Sequence, residues 1–186
     1  MENRENLRVR QTRQRLSEAL LEMLADQSLR SVSIRELCQR AGINRTTFYH
    51  HYGSQYDLFE EICAQFLEDI AECLASADPE NREHVHEKVA LVLTYLQEHL
   101  QVARLLLNHS EMPGFADRLF SLPKVSDLLE ASLRGCTDPE RREATMAFAI
   151  HGSFHLLTEW INRAERATPE KESALILELA GRICRS

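Results

Sequence analysis

After Asn44 the chain places Arg45, Thr46, Thr47, Tyr49, His50 and His51 within two helical turns, around the single apolar residue Phe48. The major groove of duplex DNA admits one helix, whose first turns must carry hydrogen-bonding tips. Arg45 can meet guanine through two parallel hydrogen bonds, and each threonine offers a hydroxyl and a methyl. Tyr49 and His51 suit phosphate oxygens, which position a protein without reading sequence. Phe48 is the side chain that packs inward. Ser33 and Arg35, at the start of the preceding segment, flank the same groove. On residue types alone, a plain helical hairpin with a polar outer face is the alternative.

Such side chains need short, firmly ended helices, and the local sequence supplies the ends. Ser33 and Glu36 have the S-x-x-E spacing of a capping box, with Val32 and Leu37 at the staple positions. Gly42 stands where a left-handed residue closes that helix, and Asn44 can cap the next. Two short helices about a tight glycine turn form a helix-turn-helix. A first helix over about 9–25, with Leu16, Ala19, Leu20, Met23 and Leu24 on one face, completes a three-helix unit.

Beyond Gly53, Ser54-x-x-Asp57 caps a long helix to about Ala75. Its apolar stripe is Leu58, Ile62, Phe66, Ile70 and Leu74, backed by Phe59, Cys63 and Leu67. A linker around Pro79 follows, then a helix marked by Val85, Val89, Val92 and Leu96 and a short one over 102–108. Met112-Pro113-Gly114 and Leu122-Pro123 punctuate a helical region ending near Gly135. Asp138-Pro139 and Thr168-Pro169 each place a cap before a proline, opening helices to about Ala164 and Cys184. No alternating strand pattern occurs. The expectation is an all-α chain of about nine helices, with domains over 1–53 and 54–186.

Composition agrees. Among 186 residues there are six Gly and five Pro, about half of average usage, which disfavours sandwiches, barrels and disorder. The formal charge is −7, yet residues 1–50 hold nine Arg, no Lys and six acids, a local +3. The remaining 136 residues carry −10, so a polyanion must dock at the N-terminal end. No run approaches the ~20 apolar residues of a membrane span, and no apolar segment precedes the first charges as in a secretion signal. The cysteines at 38, 63, 73, 136 and 184 form no CxxC pair. A cytoplasmic protein is expected, with no membrane partner.

The stretch from Ile34 to Phe59 resembles the DNA-binding domain of TetR/AcrR-type bacterial transcriptional regulators. The resemblance rests on Ala41-Gly42, Phe48-Tyr49, Tyr52, Ser54 and Leu58 in that order, and covers about residues 10–60. It implies that Arg35, Arg45, Thr46 and His50 lie near base edges, and that Ser33, Thr47, Tyr49 and His51 lie on the phosphate backbone. At the start of the fourth helix the family carries Lys, where this chain has Gln55, a donor without charge. A shallower salt dependence of DNA binding follows. Arg4, Arg8, Arg10 and Arg13 are candidates to compensate.

The resemblance also implies a C-terminal helical domain that binds a small molecule and forms a homodimer through the last two helices. Leu175, Ile176, Leu179 and Ile183 have spacing for a partner helix, and Gly152 in mid-helix suggests close helix approach. Packing of both helices within one chain is the alternative. On helices lining the family's cavity, Phe115, Phe120, Phe148, His155 and Trp160 are the candidates for ligand contact, though each reads first as plain core. Glu159 can balance a cationic ligand. His151 and His155 form an i, i+4 pair and His84 and His86 a weaker one, but neither finds a third ligand, so no metal site is expected. No cofactor is called for.

An enzyme is not expected, since no GxSxG, P-loop, Rossmann glycine series or HExxH occurs. The expected function is a ligand-responsive regulator, a repressor by family default. It binds a palindromic operator in double-stranded DNA as a homodimer and is released by a small-molecule effector. The alternative is a helical protein-interaction regulator that has lost operator binding, as Gln55 and the acidic body would permit.

Overall fold

The computed structural model describes residues 4–108, 114–132 and 138–183. Among them are ten α-helices, one short 3₁₀ turn and no strand. The chain divides into two compact units, one through Phe66 and one from Leu67.

The first unit opens with α1 (Arg4–Met23), followed by the 3₁₀ turn Leu29–Ser31, α2 (Ile34–Ala41), α3 (Arg45–His51) and the beginning of α4 (Gln55–Leu74). Leu16, Leu20, Met23, Leu37, Phe48 and Leu58 are almost wholly enclosed and form its core. α1 packs against α2, and α2 against α3. The expected α4 stripe, with its backing residues, is buried throughout. That pattern was legible because one apolar face repeats over five turns.

The second unit holds the rest of α4, then α5 (Arg82–Glu98), α6 (Leu100–Asn108), α7 (Phe115–Phe120), α8 (Pro123–Ser132), α9 (Pro139–Asn162) and α10 (Pro169–Ile183). α10 lies against α5 and α9, and α6 against α9. Asp138 caps α9 by accepting from the Glu140 amide at 3.2 Å, with Pro139 in the first turn. α5 differs from expectation. Its buried residues are Ala90, Leu93 and Leu96, whereas Val85, Val89 and Val92 are half-buried at the flank. Apolar side chains surround much of α5, so its periodicity did not single out the face that α10 covers. The region expected as one helical stretch before Gly135 holds two helices, α7 and α8. Met112, Pro113, Gly135, Cys136, Cys184 and the Arg4 side chain lie outside the described residues.

Candidate nucleic-acid interface

The loop between α2 and α3 is set by backbone geometry. Gly42 has φ +65°, the left-handed conformation, with its amide against Gln39 O at 3.3 Å. The Ile43 amide reaches Cys38 O at 2.9 Å, completing a Schellman-type closure. Asn44 then caps α3, its side-chain oxygen accepting from the Thr46 amide at 2.9 Å. At the start of α2 the outcome is different. Ser33 occupies the capping position, but its hydroxyl bonds no helix amide. Glu36 turns instead towards Arg40 one turn on, at 4.0 Å, so the capping box does not close.

This framing sorts α3 into two faces. Phe48 is buried, its ring 5.5 Å edge-on from Tyr49 and 5.6 Å from Tyr52. Arg45, Thr46, Thr47, Tyr49 and His50 line one open concave surface on the opposite side. Arg45, Thr46, Tyr49 and His50 are exposed; Thr47 and His51 are half-buried. Ser33 and Arg35 are also exposed, at the start of α2. Tyr49 is 49% exposed, unusual for a large aromatic, and its phenol is free to reach a partner. Burial lowers the pKa of His51, and the charges of Arg13 and His50 push it the same way.

The C-terminal end of α3 is tied to its surroundings by polar contacts. Tyr52 is buried at the cap, its amide on Phe48 O at 2.9 Å, and its hydroxyl donates to Glu61 Oε1 of α4 at 3.0 Å. The Arg13 guanidinium of α1 lies 3.5 Å from the same carboxylate oxygen. Burial, with Glu61 beside it, raises the Tyr52 phenol pKa. Asp57 fixes the turn before α4 by accepting from the Gly53 and Ser54 amides at 2.8 and 3.1 Å. The Asp57 amide donates to Ser54 Oγ at 3.4 Å, and the Ser54 hydroxyl to Asp57 Oδ1 at 3.1 Å, so this predicted cap is formed. Gln55 is half-buried, its amide 3.5 Å from Leu29 O. Sequence reasoning missed Glu61 and its bond to Tyr52, because a contact between two side chains nine residues apart leaves no periodic trace.

The ligand-contact candidates of the second unit separate. Trp160 is wholly enclosed and donates from Nε1 to Ala167 O at 2.9 Å, which anchors the loop after α9. Phe115 is buried; Phe120 is half-buried, its ring 6.4 Å from Phe154. Phe148 is 63% exposed, and His155 and Glu159 are exposed on the same helix. His151 is exposed too, whereas His86 contacts Glu170 O at 2.9 Å through Nε2. Cys38 and Cys63 are buried and Cys73 is half-buried.

Fold and α3 geometry define an all-α chain with an N-terminal helix-turn-helix. Residues 16–62 match the family of bacterial regulatory proteins, tetR family. Through that domain the chain is similar to the TetR-type regulators. An HTH-type transcriptional regulator of Bacillus subtilis (strain 168), YxbF, itself uncharacterized, is 21% identical over 168 residues. That alignment takes in 88% of this chain, which spans only 43% of the length of YxbF. A TetR transcriptional regulator from Streptococcus agalactiae 2603V superimposes with a TM-score of 0.73 at 19% identity, covering 95% of this chain and 97% of that one. Thermus thermophilus FadR, a TetR-family transcriptional repressor in complex with lauroyl-CoA, gives 0.53 at 16% identity, covering 90% and 92%. The family and these relatives are transcriptional regulators rather than enzymes. Among the described residues, no helix is long and apolar enough to cross a membrane.

Proposed function

We propose that this chain is a ligand-responsive transcriptional repressor that binds a palindromic operator as a homodimer. The observation that carries the reading is the outer face of α3, where Arg45, Thr46, Thr47, Tyr49 and His50 line one concave surface behind which Phe48 is buried. Arg35, Arg45, Thr46 and His50 read base edges; Ser33, Thr47, Tyr49, His51 and Gln55 meet the backbone. A two-fold dimer sets two such helices about one DNA turn apart, which demands a palindrome. An exposed strip on α9 and α10, with Phe148, Leu175 and Leu179, supports the dimer.

The effector binds among the helices of the second unit; the Thermus repressor, likewise, is known in complex with a small molecule, lauroyl-CoA. α4 contributes to both units, with Gln55–Phe66 in one and Leu67–Leu74 in the other. Its displacement by effector carries the reading helices out of register. Linkage makes the coupling reciprocal, typically 1–3 kcal/mol. The reading places the protein in the cytoplasm with its DNA.

Selection of genomic duplexes by the purified protein at stated salt tests this. A short palindrome is expected, and Arg45→Glu should abolish its enrichment while leaving the fold intact. Recovery of the same site by the Arg45→Glu protein, or of none by the wild type, would sink the proposal. A charge-reversed protein that kept a protein–protein role would favour the interaction module instead.

A further inference from the structure

We infer that Glu61 is a positioning residue for the reading helix, acting through the hydroxyl of Tyr52. The inference rests on the proposed DNA-reading role of α3. Tyr52 ends α3, and beyond it only Gly53 and Ser54 precede α4. An aromatic ring alone would satisfy the apolar site there, since Tyr52 is 5% exposed and packs on Phe48. The hydroxyl adds direction: at 3.0 Å from Glu61 Oε1 it ties the last turn of α3 to one point on α4, two turns into that helix. At 3.0 Å the bond is not a short one, but the charge on its acceptor makes it stronger than the same contact between neutral groups. Removing Glu61 leaves the buried Tyr52 hydroxyl without this acceptor, and removing the hydroxyl leaves the half-buried carboxylate with Arg13 alone.

Arg13 shares the same oxygen, but at 3.5 Å and with 47% of its side chain exposed it is a weak, screened partner. The Tyr52 contact therefore carries the positioning, and the Arg13 pair tunes it. Three elements, α1, α3 and α4, meet at one carboxylate within the first unit. A shift of α4 is thereby passed to the helix that carries Arg45 and Thr46. Glu61 need not touch DNA to do this.

The probe is the duplex selected by the wild-type protein, with affinities measured at fixed salt. Tyr52→Phe and Glu61→Leu should each weaken binding by about tenfold, the scale of one charge-assisted hydrogen bond. The double variant should be no worse than either single one, because both changes remove the same link. Glu61→Gln keeps an oxygen to accept from Tyr52 and should stay within about threefold of wild type. Wild-type affinity for Tyr52→Phe, or equal losses for Glu61→Gln and Glu61→Leu, overturns the inference. Should Glu61→Leu fail to fold, Tyr52→Phe and Glu61→Gln decide it. If the wild type selects no duplex, the function proposal has failed. Amide exchange of residues 48–52 then decides the positioning claim, being faster in Tyr52→Phe if it holds and unchanged if it does not.

Discussion

In the proposed interface, His51 links DNA recognition to pH. Burial, Arg13 and His50 lower its pKa below the ordinary 6.5, and Glu61 only partly opposes them. The ring is therefore neutral at pH 7 and offers a phosphate one neutral donor. Bound phosphate favours the charged form, so DNA binding takes up a proton there. Operator affinity should rise by about threefold as pH falls from 7 to 5.5, on the scale of making one hydrogen bond charge-assisted. The sign for folding is opposite. With the folded pKa lowered, the unfolded chain binds more protons, so the His51 contribution to stability is full above 6.5 and is lost as pH falls from there through the lowered folded value. His51→Gln keeps a donor that does not titrate and should flatten the affinity profile. An unchanged slope in that variant would remove His51 from the contact.

The short helices depend on their ends. α3 has seven residues, too few to hold its shape without caps and packing. Asn44→Ala should cost about 1 kcal/mol in urea unfolding. It should also lower operator affinity, since the first turn it frays carries Arg45 and Thr46, and Asn44→Ser should restore most of both. Gly42→Ala meets no atom within 4 Å of the added methyl, so the left-handed backbone alone opposes it, at about 1–2 kcal/mol. These ends were legible in the sequence because caps are local: Gly42, Asn44, Ser54 with Asp57, and Asp138 with Pro139 each act within four residues. The Ser33–Glu36 box was legible as well but did not form: the Ser33 hydroxyl bonds no helix amide. Faces were legible where the apolar pattern is one-sided, as on α4, and not on α5, where the neighbouring helix decides. Trp160 was legible as core, and it is wholly enclosed, but the loop that it anchors was not legible. Its partner, Ala167 O, is a backbone atom with no sequence mark.

For the molecule as a whole, the proposed homodimer must explain apolar surface that one chain leaves open. Phe148 on α9 and Leu175 and Leu179 on α10 are 63%, 40% and 37% exposed, on two helices that pack together. Gly152 lies one turn along from Phe148, and a methyl added there would meet nothing within 4 Å. Packing within the chain therefore does not require glycine at that point, where it costs about 1 kcal/mol against alanine. Close approach by a second copy of α9 supplies a reason. Self-complementary burial of such a strip is what a two-fold interface uses. Leu175→Glu with Leu179→Glu would bury four carboxylates per dimer without partners, a cost that outweighs the lost apolar contact. Sedimentation should then show a monomer with the α-helical content of the wild type. Because two half-sites are held together only through the dimer, affinity for the full operator should fall by about 100-fold or more, towards that for a single half-site. A variant that still sediments as a dimer would place the interface elsewhere. A monomer that binds the full palindrome as tightly as wild type would mean that each reading helix works alone, and that the dimer plays no part in recognition.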